Sequence, residues 1–139
     1  MAYNVLIVDD SATMRALIRK VLKISGFDIG EFYEGANGKE ALKILDSNWV
    51  DIILSDVHMP EMDGAALLQA LRSHNLWRSI PVVMITTEGR PEVIGTFEQL
   101  GIQGYIKKPF KPEEIRAKLT SILGETGEAD ATELEGCDF

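Results

Sequence analysis

The sequence repeats one pattern five times: a short apolar run is followed by a segment in which apolar residues recur at helical spacing. Short runs rich in β-branched residues and bounded by turn signals are typical of buried strands. Strands that alternate with helices along a chain favour a parallel sheet with helices on both faces. The pattern therefore predicts an α/β fold, a single doubly wound sheet of five parallel strands. The predicted strands span residues 4–8, 28–33, 50–54, 80–85 and 104–107.

The five predicted helices are amphipathic, and their inner faces follow from the spacing of the apolar residues. Gly95 lies inside the fourth helix, where it costs roughly 1 kcal/mol relative to alanine. We therefore expect the fourth helix to be the least stable. The residues assigned to inner faces are Met14, Leu17, Ile18, Val21 and Leu22, then Ala41, Leu42 and Leu45, then Leu67, Leu68 and Leu71, then Val93, Ile94, Phe97 and Leu100, and finally Ile115, Leu119, Ile122 and Leu123.

The length and composition of the chain limit its class. Its 139 residues, of which 45% are hydrophobic, suit one globular domain of ordinary size. The N-terminus lacks the basic region of a signal peptide, its first apolar run stops at Asp9, and no apolar stretch approaches membrane-spanning length. We therefore expect a cytoplasmic protein that does not bind membranes. Cys137 is the single cysteine, so an internal disulfide is excluded.

The negative charge of the chain is concentrated at its C-terminal end. The net charge is −8, and residues 125–139 hold six acids and no lysine or arginine. Without that segment, residues 1–124 carry 14 basic and 16 acidic side chains, a net charge of −2. We therefore predict a nearly neutral domain over residues 1–124 and a disordered acidic tail over residues 125–139. The chain has no basic patch with interleaved aromatic residues, which disfavours nucleic-acid binding.

Polar residues follow four of the predicted strands at the point where each strand ends. Asp9 and Asp10 follow the first predicted strand, and Asp56 comes just after the third. Thr86 follows the fourth predicted strand, and Lys108 follows the fifth. The carboxyl ends of parallel strands lie along one edge of a doubly wound sheet, and ligands bind in the crevice there. The fold thus predicts that these five side chains become neighbours, although they are scattered over about a hundred positions.

The residue types in this predicted cluster indicate its chemistry. Three carboxylates about 4 Å apart would repel one another by several kcal/mol even at an effective dielectric constant of about 20, so the cluster needs a cation. A small, incomplete set of oxygen ligands favours Mg²⁺ over Ca²⁺. A lysine and a hydroxyl facing the same place can stabilise a phosphoryl group, and a carboxylate can act as a nucleophile toward phosphorus.

The order of these motifs resembles that of response-regulator receiver domains, most closely the stand-alone chemotaxis (CheY-like) type. Beyond the acidic pair and the threonine, the similar features are Asp56 followed by Met59-Pro60 and Asp63-Gly64, and the Lys108-Pro109-Phe110 sequence after the fifth strand. The resemblance covers residues 4–124 and rests on five motifs in the same order. It implies a flavodoxin-like strand order of 2-1-3-4-5, which the sequence pattern alone does not give.

The resemblance implies a role for each residue at the end of a strand. Asp56 would be the phosphoacceptor and a metal ligand, Asp10 a direct Mg²⁺ ligand, Asp9 a ligand largely through water, and His58 a ligand through its backbone carbonyl. Lys108 would pair with the phosphoryl oxygens. The remaining implied roles are a switch for Thr86 and Tyr105, tuning of phosphate lifetime for His58, Thr87 and Glu88, and an output face containing Arg90, Tyr105 and Lys118.

The resemblance also implies partners. A histidine kinase would donate the phosphoryl group, and a downstream protein, such as the flagellar motor switch or another signalling protein, would bind the output face on the fourth helix, fifth strand and fifth helix. The protein would be a monomer. It would be a phosphoacceptor that assists its own phosphorylation and dephosphorylation, not an enzyme with a separate substrate.

Two other functions stay open from the sequence: a Mg²⁺-dependent phosphohydrolase, and an adaptor that binds partners without being phosphorylated. The acidic pair differs from the Asp-x-Asp motif of haloacid-dehalogenase phosphatases, and no glycine-rich nucleotide loop is present. His58 and His74 lack partners at transition-metal spacing. Trp49 and Trp77 each precede a strand and are predicted to be packing anchors.

Overall fold

A computed structural model of the chain describes residues 2–124. The predicted acidic tail, residues 125–139, lies outside this range. Five strands alternate with five helices along the described chain. Their bounds are β1 Tyr3–Val8, α1 Ala12–Ile24, β2 Ile29–Gly35, α2 Gly38–Ser47, β3 Ile52–Ser55, α3 Gly64–Arg72, β4 Val82–Thr86, α4 Pro91–Leu100, β5 Gly104–Lys107 and α5 Pro112–Leu123.

The five strands form one parallel sheet in the order β2-β1-β3-β4-β5. The predicted fold class and the strand order implied by the resemblance are both confirmed. The chain reverses its direction of travel across the sheet between β1 and β3, and Val8 at the end of β1 pairs with Gly35 of β2 and Ser55 of β3. The crevice of a doubly wound sheet lies at such a reversal, beyond the carboxyl ends of the strands.

Each face of the sheet has its own hydrophobic core. One core contains Ile7 of β1 together with buried residues of α1 and α5, including Ile18 and Ile115. The other contains Leu6 of β1 and buried residues of α2, α3 and α4, including Leu68. Adjacent residues of a strand point to opposite faces, so one apolar strand supplies both cores. Burial on both faces explains why the central strands are continuously apolar.

The helices start at residues suited to cap them. The side chains of Ser11, Asn37 and Asp63 each accept a hydrogen bond from a backbone N–H in the first turn of α1, α2 and α3. Each bond satisfies a donor that has no partner within the helix. Proline occupies the first turn of α4 and of α5, where a missing N–H costs nothing. These residues fix where each helix begins after its strand.

The predicted packing role is wrong for Trp49. Trp49 is 75% exposed, because it lies in the loop between α2 and β3, beyond the edge of the core. Its indole N–H donates to Asp51 at 2.9 Å instead. Trp77 is half-buried, packs against the second core and stacks on His74 with ring centroids 3.7 Å apart, so the packing role predicted for Trp77 is confirmed.

Two helices bury less of their predicted faces than expected. Leu17 is 45% exposed, because Ile18, Val21 and Leu22 already form the stripe of α1 that faces the sheet. In α4, Phe97 is the only fully buried residue, and the predicted inward position of Ile94 is not observed, since that residue is half-exposed.

The boundaries of four strands also differ from the prediction. β1 begins at Tyr3, β2 spans Ile29–Gly35 and β3 spans Ile52–Ser55. β4 begins at Val82, because the two preceding residues form part of the connecting loop, and it ends at Thr86. Within residues 2–124, none of the five helices has the length and apolarity needed to cross a membrane.

Candidate functional site

Three carboxylates meet at the carboxyl ends of β1 and β3. Asp9 and Asp56 directly follow the last residues of these two paired strands. Carboxylate oxygens of Asp9, Asp10 and Asp56 all lie within 4.8 Å of one another. Asp9 and Asp56 are 47 positions apart in the chain. The structure therefore brings together the three acids that the sequence places at strand ends.

Asp9 is fixed at the bottom of this acidic pocket. The residue is only 2% exposed. Its backbone N–H donates to the carbonyl of Gly35 at 3.0 Å, and its Oδ1 accepts the backbone N–H of Ser11 at 2.9 Å. Asp10, the next residue, is exposed. The adjacent acids thus differ in access: one is anchored to the backbone and one faces solvent.

Asp56 is held in place on both sides but keeps contact with solvent. Its backbone N–H donates to the carbonyl of Val8 at 2.9 Å, which continues the β1–β3 pairing by one residue. Its Oδ1 accepts the N–H of Val57 at 2.7 Å. The side chain is 13% exposed. A carboxylate in this position is oriented by the strand end and can still be reached from outside.

Lys108 connects the buried acid to the accessible one. Its Nζ donates to Oδ2 of Asp9 at 2.8 Å and to Oδ2 of Asp56 at 3.1 Å. Its backbone N–H donates to the carbonyl of Thr86 at 2.8 Å, so the end of β4 helps to position it. Burial lowers the pKa of Lys108, but the hydrogen bonds and charges of the two acids together outweigh burial and raise it above 10.5. The ammonium therefore stays charged at neutral pH.

The acidic pocket suits a hard divalent cation. All three side chains offer oxygen ligands, which such ions prefer. Lys108 provides one positive charge for three carboxylates. It forms ion pairs with Asp9 and Asp56, whereas the carboxylate of Asp10 is exposed. A second cation would reduce the remaining repulsion.

Glu88 makes the most extensive set of polar contacts near the pocket. Its backbone N–H donates to the hydroxyl oxygen of Thr86 at 3.2 Å, and its backbone carbonyl accepts the hydroxyl of Tyr105 in a short hydrogen bond. Its carboxylate accepts from Arg90 through Nε and Nη2, each at 2.8 Å, and from His58 Nε2 at 3.1 Å. Hydrogen bonds from Arg90, and then from His58, hold the pKa of Glu88 well below its usual range. Glu88 thus joins four residues that the sequence resemblance singled out.

The buried threonine and the half-buried tyrosine both point to Glu88. Thr86 is completely buried at the end of β4. Burial and the negative charge of Glu88 raise the pKa of Tyr105 above 10.0, so its hydroxyl is a hydrogen-bond donor across the physiological range. Thr87, which lies between Thr86 and Glu88 in the loop, is exposed.

Gly64 allows α3 to start directly against the backbone of Asp56. A Cβ atom at Gly64 would lie 2.5 Å from the carbonyl oxygen of Asp56 and 3.0 Å from Cα of Val57. The N–H of Gly64 also donates to the carbonyl of Val57 at 2.8 Å. Sequence reasoning identified Asp63-Gly64 only as a turn. The spacing from Asp56 was visible, but the close backbone approach depends on how the loop folds back.

Two of the three residues expected on the output face lie in β5 and α5. Tyr105 and Lys118 line one shallow surface depression with Glu98 and Ile102. Arg90 precedes α4 and is exposed, but its guanidinium is bound to Glu88. The structure therefore places Tyr105 and Lys118 at the same depression and connects Arg90 to Glu88.

Comparison with known proteins assigns the same family along most of the chain. The model of the family described as response regulator receiver domain matches residues 5–120. The chain is 39% identical over 122 residues to chemotaxis protein CheY1 of Helicobacter pylori, covering 87% of this chain and 97% of that protein. A chemotaxis protein CheY homolog of Campylobacter jejuni is 37% identical, with coverage of 87% and 92%.

Solved structures show the same fold. The chemotaxis response regulator CheY4 of Vibrio cholerae superimposes with a TM-score of 0.78 at 34% identity. The superposition covers 88% of this chain and 99% of the Vibrio protein. The similarity therefore includes all the elements that surround the acidic pocket.

Proposed function

This chain belongs to the family of response regulator receiver domains, and we propose that it is a chemotaxis-type response regulator that accepts a phosphoryl group on Asp56. The donor is a histidine kinase, and the phosphorylated protein binds a downstream protein target. On this proposal, residues 1–124 form the receiver domain and the protein acts in the cytoplasm. The names of its chemotaxis relatives support a target such as the flagellar motor switch or another signalling protein.

The observation that carries this proposal is the position of Lys108 between Asp9 and Asp56, with Asp10 beside them. Asp56 is the accessible carboxylate of the pair, so it is the nucleophile. Its oxygen forms a bond to phosphorus while the bond between phosphorus and the donor imidazole nitrogen breaks. The electron pair of that broken bond stays on the imidazole. Lys108 then pairs with the oxygens of the phosphoryl group that Asp56 has acquired.

The three acids, together with the backbone carbonyl of His58, would hold Mg²⁺, which supplies positive charge near the transferred phosphoryl group. Asp10, the exposed acid, would be the direct ligand, whereas Asp9, which is buried and bound to Lys108, would act through water. Lys108 neutralises part of the charge of Asp9 and Asp56. The chain's own residues thus orient the nucleophile and balance its charge before the donor arrives.

The signal leaves the pocket through Thr86 and Glu88. The Thr86 hydroxyl, which accepts the N–H of Glu88 in this structure, turns toward the phosphoryl oxygens once Asp56 is modified. The loop before α4 then loses that bond, and Tyr105, which is bound to the same residue, shifts with it. This changes the face formed by α4, β5 and α5, where the target binds.

A phosphohydrolase and a phosphorylation-independent adaptor are the alternatives. We propose to incubate the protein with a small phosphodonor, with Mg²⁺ or with a chelator, and to count the phosphoryl groups bound per protein molecule. The release of phosphate from a phosphoester is measured separately. A receiver should accumulate at most about one acyl phosphate per chain, only with Mg²⁺, whereas a hydrolase should turn over many phosphoesters. An adaptor should take up none. Asp10→Asn, which removes a proposed Mg²⁺ ligand, should lower the uptake. Asp46→Asn, which changes an exposed acid outside the pocket, is its matched control.

A further inference from the structure

The carboxylate of Glu88 bridges two exposed residues that belong to different parts of the molecule. Its side chain is only 7% exposed, whereas those of His58 and Arg90 are 66% and 64% exposed. Oε1 accepts from both partners, and Oε2 accepts from Nε and the backbone N–H of Arg90. A buried carboxylate with two exposed partners is held by them, because burying it alone would be costly.

The bridge lies beside the opening to Asp56. His58 is two positions after Asp56 and Glu88 is two positions after Thr86, so each stands in the loop that leaves one of two neighbouring strands, β3 and β4. The hydrogen bond between His58 and Glu88 therefore joins the two loops that flank the accessible carboxylate. It holds the imidazole in the loop that begins at Asp56.

Arg90 determines where Glu88 sits. The guanidinium contacts both carboxylate oxygens, a two-point contact that fixes orientation as well as position. Arg90 also stands at the N-terminal end of α4, next to the proposed output face. One arginine is thus in contact with the residue that holds His58 and is accessible to a binding partner.

We propose that Arg90 acts as a positioning residue for phosphate lifetime: through Glu88 it keeps His58 beside the opening to Asp56 and slows hydrolysis of the acyl phosphate. This rests on the proposed function, because it requires that Asp56 be phosphorylated. A target that draws Arg90 away from Glu88 therefore shortens the life of the phosphate. Neither the sequence pattern nor the family resemblance links Arg90 to lifetime.

The test is a double-mutant cycle on the rate of phosphate loss. Protein phosphorylated with a small phosphodonor is separated from the donor, and the decay of its phosphorylated mass is followed. His58→Ala and Arg90→Ala should each speed the decay by about threefold or more, where threefold is the lower end of the effect of losing one ordinary hydrogen bond. In the double mutant, Arg90→Ala should add nothing further, because it acts through His58.

Controls separate this role from a general structural one. Arg90→Lys keeps the charge but not the two-point contact, so it should give an intermediate rate. Lys43→Ala removes an exposed cation from α2 without touching the bridge, and should leave the decay unchanged. Unfolding by urea should be measured for every variant, since a rate change without a loss of stability cannot come from partial unfolding.

Two results would overturn the inference. If Arg90→Ala decays at the wild-type rate, or if its effect is fully retained in the His58→Ala background, Arg90 does not act through the bridge. If the wild type takes up no phosphate at Asp56, the proposed function itself fails and this inference fails with it. Phosphate uptake with an unchanged decay rate would contradict the inference alone.

Discussion

The ammonium of Lys108 lies 3.1 Å from Oδ2 of Asp56, although 52 positions separate the two residues in the chain. The same ammonium lies 2.8 Å from Asp9, which is almost completely buried. Lys108 thus serves two purposes. It compensates a buried carboxylate that would otherwise destabilise the fold, and it holds a cation beside the accessible carboxylate that we propose as the phosphoacceptor.

Removing one acid of the pocket should relieve repulsion. Asp10→Asn should raise the free energy of unfolding of the metal-free protein by up to about 1 kcal/mol, a modest gain because Asp10 is exposed and Lys108 already pairs with the other two acids. It should also weaken Mg²⁺ binding strongly. Urea unfolding in chelator and a Mg²⁺ titration measure the two effects, with Asp46→Asn as control. A clearly less stable mutant would contradict mutual repulsion.

Two glycines should respond in opposite directions to the same substitution. Gly64→Ala should lower the free energy of unfolding by roughly 2 kcal/mol, because the new Cβ would meet the backbone of Asp56 at 2.5 Å. Gly95→Ala should raise it by roughly 0.5 to 1 kcal/mol, because Gly95 lies inside α4 with nothing within 4 Å of an added Cβ. Parallel urea titrations test both. If Gly64→Ala and Gly95→Ala are equally stable, the start of α3 does not pack tightly against the backbone of Asp56.

The ionisation of Tyr105 should make stability depend on alkaline pH. Burial and the charge of Glu88 raise its folded pKa above 10.0. A raised pKa means that the neutral side chain stabilises the folded protein at lower pH, and that this contribution falls as the pH rises through the folded value. The stability difference between wild type and Tyr105→Phe should therefore shift against the wild type above pH 10.0. The phenolate absorbance that the wild type shows and Tyr105→Phe lacks should appear above pH 10.0. Its appearance below that pH would contradict the contact between Tyr105 and Glu88.

Phosphorylation should strengthen binding to the target. Beryllofluoride treatment should raise target affinity by roughly 1 to 3 kcal/mol, the usual range of allosteric coupling. Arg90→Ala and Lys118→Ala should lower that affinity and leave the ability of Asp56 to accept a phosphoryl group intact. Calorimetry with a flagellar switch protein would measure this, with Lys43→Ala on α2 as a control from another surface. Equal affinity for all forms would show that this face is not used.

The fold and the acidic pocket could be predicted because both follow from strand ends. Alternating apolar runs and helices specified the parallel sheet, and the carboxyl-edge rule then placed Asp9, Asp10, Asp56 and Lys108 together. These conclusions need only the order of the elements. They do not depend on the conformation of any loop.

The features that escaped prediction depend on loop conformation and on how many apolar residues a helix can bury. The contacts of Glu88 with His58 and Arg90 involve two loops, and no periodic pattern marks them. The exposure of Trp49 and Leu17 has a related cause: spacing shows which residues are apolar, but not where the sheet ends or which part of a broad apolar stripe touches it.

The central claim is that Asp56 accepts the phosphoryl group, and intact mass measurement tests it most directly. Wild-type protein treated with a small phosphodonor and Mg²⁺ should gain the mass of one phosphoryl group, and peptide mapping after reduction of the acyl phosphate should locate the change at position 56. Asp56→Asn should gain none, and Asp46→Asn should behave as the wild type. A wild type that gains no phosphate mass, or an Asp56→Asn variant that gains as much as the wild type, would contradict the account.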